Sequence, residues 1–369
     1  MYIKSLIYED QSTGWKLELM EFKPLTLLVG ASGVGKTQIL KALLNIKEIS
    51  EGKSLNGLKW EIEFNTSSGR ECKWFGSFEN KSSKNEKDKS FINYEHLVIN
   101  GHEIIERNQN TILFNNKETV RLSQQESAVF LLKEENQVKE IHADFNKIIF
   151  GNNTDNNKGF GIDVMEIDSL LTQYLSLQDI RNSDGNIKTK LYLLFINEKK
   201  SFQEIVDVFI DIFPYVEDVK IDSIENKTVL WHFFDGLFIH IKEKNILHWI
   251  DEINISSGML RAFFSLAELH LCSDDSVLLI DEFENSLGIN CIDQITHSIL
   301  ASERNLQFII TSHHPYIINN IGVSHWKIIT RNGNVVTATD AEAFGIGQSK
   351  HQAFTQLINL DAYTDGIVN

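Results

Sequence analysis

The chain has 369 residues and carries 35 Lys and Arg against 51 Asp and Glu, a formal net charge of −16. A hydrophobic fraction of 42% excludes an intrinsically disordered protein, and the length allows one large domain or two ordinary ones. Net acidity argues against nonspecific DNA binding by the whole surface, but it leaves a local basic patch open. Residues 161–290 hold 23 acidic and 10 basic residues, so the acidity is concentrated in the middle of the chain.

Cysteine usage and hydropathy favour a cytoplasmic protein. The three cysteines, Cys72, Cys272 and Cys291, are odd in number and far apart, so they fit neither a disulfide framework nor a metal cage. The acidic, amphipathic N-terminus is unlike a signal peptide, and no apolar run approaches the roughly 20 residues that span a bilayer. We expect no membrane association.

The first part of the chain is predicted to be rich in strands. Two strands, 2–8 and 15–22, are followed by a buried strand over 25–29 and a helix over 37–46. Short alternating strands are predicted for 58–122. A lysine-rich stretch within them, at 79–90, favours a solvated loop over a nucleic-acid contact, because acidic residues dilute its charge.

The remainder is predicted to change character near residues 151–158, a polar Gly- and Asn-rich linker candidate. Helices are expected over 163–213 and strands over 217–249, including 230–233 and 237–241. Helices and strands are expected to alternate over 256–330. A final helix, capped by Ser349, is expected over 349–360. The expected divisions are 1–150, first part of the main domain with a β-subdomain; 151–250, an inserted lobe; 251–335, the rest of the main domain; and 336–369, a helical tail.

A glycine-rich turn follows the buried strand over 25–29 and matches the phosphate-loop (P-loop) pattern in full. Its residues are Gly30, Ala31, Ser32, Gly33, Val34, Gly35, Lys36 and Thr37. Glycines let backbone N–H groups close around phosphate oxygens, and the helix that follows adds its positive dipole end. Lys36 is expected to reach the β- and γ-phosphates of ATP, and the Thr37 hydroxyl to ligate Mg²⁺.

Two adjacent carboxylates, Asp281 and Glu282, end a second apolar strand that begins at Ser276. Asp281 is a candidate ligand in the Mg²⁺ shell, and Glu282 is a candidate general base that polarises the attacking water. An acidic pair after a strand is common by chance. It becomes strong evidence for a nucleotide site only because the same chain contains a P-loop.

Two further motifs complete the pattern. Ser256, Ser257 and Gly258 precede an apolar helix beginning near Leu260, for which Ser256 is the predicted N-cap. A strand over 308–312 ends at His313. The spacings, 25 residues from Ser256 to Asp281 and 32 from Asp281 to His313, each accommodate one helix and one strand, so both motifs can return to one edge of a parallel sheet.

These four motifs, in this order, resemble those of ABC-type ATPases. Ser256 and Gly258 fall on the serine and second glycine of the Leu-Ser-Gly-Gly-Gln signature, and His313 falls on the switch histidine. The departures at Ser257 and Met259 resemble the SMC, RecF and OLD-like branch. The Glu-Asn-x-Leu run from Glu284 is similar to that of SMC, OLD and phage-defence ATPases, although Gly288 stands where these usually have histidine. The implied fold class is α/β: an ABC-type ATPase head with a mixed, largely parallel central sheet, an antiparallel β-subdomain and an inserted helical lobe.

The resemblance also implies partners and roles. Such heads form a sandwich homodimer in which the signature of one chain completes the ATP site of the other, so Ser256, Ser257 and Gly258 are expected to act in trans. The family expects a glutamine that links Mg²⁺ to the helical lobe. Gln124 is the candidate and Gln125 is the alternative. An equally good explanation is that both glutamines lie at the surface and have no role in the site.

Three functions are compatible with these motifs. The favoured one is a sensor ATPase subunit of an anti-phage defence module of the Septu or PARIS kind, partnered by an effector (nuclease or toxin) in another chain. Only 218 residues separate Lys36 from Asn254 and 56 follow His313, too few for long coiled-coil arms or a TOPRIM nuclease domain respectively. A RecF-like DNA-repair clamp, which would bind nucleic acid, is the alternative. An ABC transporter ATPase is disfavoured by the Glu-Asn-x-Leu run.

Overall fold

A computed structural model describes residues 1–81, 89–151, 164–223, 237–285, 287–347 and 350–367. These residues fall into two compact units. The first comprises 1–150, 275–283 and 304–369, and the second comprises 151–274 and 284–303.

The described strands, in chain order, are β1 (Tyr2–Asp10), β2 (Trp15–Glu21), β3 (Leu25–Val29), β4 (Leu58–Asn65), β5 (Glu71–Phe78), β6 (Ile92–Ile99), β7 (His102–Asn108), β8 (Ile112–Phe114), β9 (Lys117–Glu118), β10 (Ile148–Phe150), β11 (Val216–Ser223), β12 (Leu237–Glu243), β13 (Ile250–Asp251), β14 (Val277–Ile280), β15 (Gln307–Thr311), β16 (Trp326–Asn332) and β17 (Val335–Asp340).

The described α-helices, in chain order, are α1 (Lys36–Ser50), α2 (Ala128–Leu131), α3 (Asn136–Asn146), α4 (Val164–Gln173), α5 (Leu177–Asn182), α6 (Ile187–Asn197), α7 (Lys199–Ile212), α8 (Ser257–Leu271), α9 (Ile289–Leu300), α10 (Pro315–Asn320), α11 (Lys350–Ile358) and α12 (Asp361–Thr364).

The first unit is built on one mixed sheet with the strand order β10-β14-β15-β3-β16-β17-β2-β1-β4-β5-β6-β7-β8-β9. Strands β10, β14, β15, β3 and β16 run parallel to one another, and β3 is buried along its whole length, as expected for a central parallel strand. Ile280 pairs with Ile310, and Thr311 pairs with Leu28, so the carboxyl ends of β14, β15 and β3 meet at one edge. The residues that follow these strands are thereby brought together.

Strands β4 to β9 form the antiparallel part of this sheet, where side chains alternate between the core and the surface. Its core is aromatic: the rings of Trp60 and Trp74 lie 5.4 Å apart, and Phe145 of α3 lies 5.2 Å from Trp74. Helix α1 places Ile39, Leu40, Leu43 and Ile46 at helical spacing, and all of them are buried. Leu28 of β3, the strand before the P-loop, belongs to the same hydrophobic core as these aromatic and α1 residues.

The second unit contains helices α4 to α9 and a small antiparallel sheet with the order β11-β12-β13. Helix α8 packs through aromatic side chains, with the ring of Phe263 lying 5.2 Å from that of Phe209 on α7. A buried ion pair joins Lys188 of α6 to Glu252, whose other oxygen accepts the Ile239 N–H of β12. Glu252 lies four residues before Ser256, so this pair anchors the approach to α8.

The strands and helices predicted for 2–64, 163–213 and 256–330 are confirmed, with ends shifted by a few residues. The helix predicted near Leu260 begins at Ser257, and helices α2 and α3, which have no counterpart among the predictions, occupy 128–146. Three predictions lie outside the described residues: the strand over 230–233, the cap at Ser349, and the linker over 151–158 apart from Gly151.

The prediction of a helical tail from residue 336 was wrong for the first residues of that tail. Residues 335–340 form β17, which pairs with β16 across a turn at Gly333 and with β2 on its other side. Gly333 has φ +58°, and the residues after it, Val335, Val336 and Thr337, are β-branched. A turn flanked by such residues favours a hairpin over a helix.

Candidate nucleotide site

The P-loop turns sharply between β3 and α1, and glycine is required where it does so. Gly33 and Gly35 have φ of +82° and +113°, values that side chains disfavour. At Gly30, with φ +152°, an added Cβ would lie 2.5 Å from the Ile329 carbonyl oxygen of β16. Ser32 and Gly33 are exposed at the tip of the turn, whereas Val34 is buried beneath it. The base of the loop is therefore packed against β16, and its tip is exposed to solvent.

Lys36, the first residue of α1, is buried, and its ammonium group lies inside the loop. Its Nζ donates hydrogen bonds of 2.8 Å to the carbonyl oxygens of Gly30 and Ala31. A buried cation held by carbonyl dipoles at this point is well placed to exchange them for phosphate oxygens.

The N-terminus of α1 is suited to an anion. Among the described residues no side chain caps this helix, and its first turn contains no acidic residue. The N-cap is Gly35, and the first amides of the helix point toward the loop, as in other phosphate-binding turns. The loop and the helix dipole therefore favour a phosphate group at the same place.

Asp281 and Thr37 meet although they lie far apart in sequence. The Thr37 hydroxyl donates to the Asp281 carboxylate, with Oγ1 2.9 Å from Oδ2 and 3.1 Å from Oδ1. Hydroxyl and carboxylate oxygens are the hard ligands that Mg²⁺ prefers, so this pair fits a magnesium ion beside the P-loop.

Glu282, the predicted base, has a positive φ of +44°, which is unusual for a residue with a side chain. Thr311, at the end of β15, holds it from the neighbouring strand: the Glu282 N–H donates to Thr311 Oγ1 at 2.7 Å. The same hydroxyl donates to Asp281 Oδ1 at 2.6 Å. Thr311 was not predicted as a site residue, because its only signal in the sequence is its position two residues before His313.

The predicted switch histidine, His313, follows Thr311 and the buried Ser312 at the carboxyl end of β15. Its neighbour His314 has a structural role instead: it caps α10, with Nδ1 accepting the Tyr316 N–H at 3.3 Å. His313 therefore lies at the same sheet edge as the P-loop and the two carboxylates.

A cavity of about 280 Å³ in the first unit lies beside α1 and is lined by Tyr8, Trp15, Gln38, Lys41, Asn45 and Arg331, among others. Trp15 borders the P-loop, because a Cβ added to Gly35 would lie 3.4 Å from its indole nitrogen. This indole nitrogen is buried and has no hydrogen-bond partner among the described residues. An aromatic ring beside a phosphate loop is suited to stack on a base.

The signature residues Ser256, Ser257 and Gly258 belong to the second unit, at the start of α8. Ser256 is the N-cap, as predicted, and its hydroxyl accepts the Met259 N–H at 3.3 Å. Ser256 and Ser257 are exposed, so the N-terminus of α8 is accessible to another molecule.

Gln124 makes its described side-chain contact within the β-subdomain, where its amide donates to the Gln109 carbonyl at 2.9 Å. The segment around it is held by Arg107, which donates to the carbonyl oxygens of Ser123 and Glu126 and lies 3.5 Å from the buried Glu95. Neither Gln124 nor Gln125 has a described hydrogen bond to Thr37 or Asp281.

Two features are absent from the described residues. No group of three or more His, Cys, Asp or Glu within them is arranged to hold a metal ion. No helix in the same residues is both long enough and apolar enough to cross a membrane.

The mixed sheet, with the P-loop at the carboxyl end of β3, confirms the predicted α/β fold class. The chain belongs to the family described as AAA domain, putative AbiEii toxin, Type IV TA system, whose model matches residues 25–319. It is therefore an ATPase of the AAA class.

Among solved structures, the chain is similar to SMC head domains. One bound to the C-winged helix domain of ScpA is 15% identical, with a TM-score of 0.49 over 94% of this chain and 100% of that one. Another, with an extended coiled coil and bound to a ScpA domain derived from Pyrococcus furiosus, is 14% identical, with a TM-score of 0.48 over 94% and 98%. A head domain from Thermotoga maritima is 14% identical, with a TM-score of 0.40 over 92% and 99%. No curated protein matches significantly.

Proposed function

We propose that the chain is an ATP-hydrolysing clamp that dimerises around nucleotide and serves as the sensor or regulatory ATPase subunit of an anti-phage defence complex. The observation that carries the ATPase part is the meeting of Thr37 and Asp281 next to a loop that holds a buried lysine. This meeting supports a phosphate position surrounded by the two proposed metal ligands, the lysine cation and the helix N-terminus.

Each residue of the site has a distinct role in this proposal. The amides of Gly30 to Gly35 and the ammonium group of Lys36 hold the β- and γ-phosphates, and Trp15 stacks on the base. Thr37 and Asp281 would hold Mg²⁺, which would neutralise charge on the phosphates. Glu282 polarises the attacking water, and His313 contacts the γ-phosphate. Gln124 can act as the glutamine that contacts Mg²⁺ only if its side-chain amide breaks its hydrogen bond to the Gln109 carbonyl.

The exposed N-terminus of α8 supports closure in trans. Ser256 and Ser257 are accessible, and the capped helix start offers N–H donors to a γ-phosphate bound by a second chain. ATP then bridges two chains, and its hydrolysis removes the bridge. Nucleotide thereby controls whether the dimer is closed.

The defence role is supported by the family description, which names a toxin and a toxin–antitoxin system. We infer that an effector, a nuclease or a toxin, is a separate chain whose activity the clamp controls. The acidic stretch 161–290 is compatible with a basic protein partner and unfavourable for DNA. Salt-dependent DNA binding by the purified chain would instead favour the DNA-repair clamp.

The experiment that tests the ATPase clamp is Glu282→Gln. This variant should bind ATP as the wild type does, hydrolyse it at least about 100-fold more slowly, and elute as a dimer with ATP and Mg²⁺. Lys36→Ala should stay monomeric under the same conditions because it does not bind ATP. Normal hydrolysis by Glu282→Gln would show that the base is another residue.

A further inference from the structure

Thr311 is the point at which three consecutive residues after β14 are held. Its hydroxyl donates to Asp281 Oδ1 (2.6 Å) and accepts the Glu282 N–H (2.7 Å), and its carbonyl oxygen accepts the Phe283 N–H (3.0 Å). Thr311 is itself buried and pairs with Leu28 of β3. One residue therefore connects the carboxylate pair to the strand that carries the P-loop.

The register of the sheet explains why this contact is needed. The last paired residues of β14 and β15 are Ile280 and Ile310, so the backbone ladder ends just before the carboxylates. Glu282 then takes a φ of +44°, a conformation that persists only where the surroundings impose it. The Thr311 hydroxyl supplies the partner for the Glu282 N–H at that residue.

The hydrogen-bond directions are consistent with a single hydroxyl proton. A backbone N–H is only a donor, so the Thr311 oxygen accepts from Glu282 and its one proton goes to the Asp281 carboxylate. Serine can reproduce both bonds, whereas valine has nearly the shape of threonine and can make neither.

We propose that Thr311 is a positioning residue for hydrolysis: its hydroxyl fixes the Asp281 carboxylate and the backbone of Glu282 relative to each other. This inference rests on the proposed ATPase function and assigns to Thr311 a role separate from that of the switch histidine. The hydroxyl is already bonded to both partners, so it orients the groups that touch nucleotide without touching it.

The test compares Thr311→Val with Thr311→Ser in the full chain, measuring ATP affinity, KM, kcat and melting temperature. Loss of the hydroxyl should lower kcat about 100-fold, because small misplacements of a catalytic group have effects of that size, and leave ATP affinity and KM within about 3-fold. Thr311→Ser should keep kcat within about 5-fold of the wild type.

The matched control is Thr330→Val in β16. Thr330 is also a buried strand threonine, with its hydroxyl 2.7 Å from that of Thr337, and its loss should leave kcat unchanged. Thr311→Ala replaces the valine variant if the latter fails to fold. Wild-type kcat in the hydroxyl-free variants, or an equal loss in Thr311→Ser, would overturn the inference while the ATPase proposal stands. A wild-type chain without ATPase activity would overturn both.

Discussion

The Thr37 hydroxyl, in the first turn of α1, donates to the carboxylate of Asp281, which lies 244 residues further along the chain, across distances of 2.9 and 3.1 Å. This contact joins the residue that follows β14 to the first turn of the helix after the P-loop. It exists because β3 and β14 both flank β15 in a parallel sheet and end at the same edge.

The first prediction concerns this pair. Asp281→Asn removes the negative charge that attracts Mg²⁺, so ATP affinity measured with Mg²⁺ should fall at least about 10-fold. In EDTA the variant and the wild type should bind ATP equally, since Lys36 and the loop amides are intact. Equal affinity in both buffers would show that Asp281 does not serve the metal.

The second prediction concerns the cavity beside α1. If Trp15 stacks on the base, Trp15→Ala should weaken ATP binding by roughly 10-fold or more, and Trp15→Phe by much less. Inorganic tripolyphosphate, which has no base, serves as the matched probe and should bind both variants as it binds the wild type. A parallel loss for tripolyphosphate would mean that the substitution damages the P-loop and not a base site.

The third prediction concerns the pH dependence of stability. Burial raises the pKa of Glu268, on α8, from 4.5 to about 8, and the opposing charge of Arg261 reduces this effect. Between these two values the folded chain keeps a proton that the unfolded chain loses, so this residue's contribution to stability falls as pH rises from 4.5 to 8.

The measurement is the melting temperature of Glu268→Gln against pH. The variant cannot ionise, so it should melt higher than the wild type at pH 8 and equal to it near pH 4.5. Glu217→Gln, at an exposed position in the same unit, should follow the wild-type curve throughout. A difference for Glu268→Gln that does not change with pH would contradict the buried-carboxyl explanation.

The fourth prediction concerns the ion pair before the signature. Lys188 and Glu252 are both buried, with Nζ 2.6 Å from Oε1, so Lys188→Met leaves an unpaired buried carboxylate. The free energy of unfolding should fall by about 3 to 5 kcal/mol. Adding Glu252→Gln should recover at least ~1 kcal/mol, because it removes the charge and its oxygen still accepts the Ile239 N–H.

Denaturant unfolding of the single and double variants measures this coupling. Lys53→Met, which breaks the exposed pair with Glu48, is the control and should change stability little. A double variant less stable than Lys188→Met would show that Glu252 stabilises the unit independently of the lysine charge.

The local parts of the site were predictable from sequence. The P-loop is read from eight consecutive residues, and its glycines and lysine occur where the turn requires them. Asp281 and the N-cap Ser256 were predictable because each stands at the end of a strongly apolar element, where chain direction limits what a polar side chain can do.

The missed residues depend on pairing between distant strands. Thr311 lies in an apolar strand and looks like any strand threonine, until β14 is placed beside β15 and its hydroxyl meets Asp281 and Glu282. Trp15 resembles a core aromatic until the Gly35 turn lies against its ring. Gln124 has the expected residue type in the expected interval, but its described side-chain contact is with the Gln109 carbonyl, so its link to Mg²⁺ stays a prediction.

The central claim is that two chains share each ATP site, and mixing two inactive variants tests it most directly. Lys36→Ala removes nucleotide binding, and Ser256→Arg blocks the exposed start of α8, so each variant alone should be inactive. In a mixed dimer one site combines the intact P-loop of one chain with the intact signature of the other. An equal mixture should therefore recover a clear part of the wild-type ATPase rate, because each mixed dimer has one working site and neither variant closes a dimer by itself. No recovery on mixing, or full activity of Ser256→Arg by itself, would contradict the shared site.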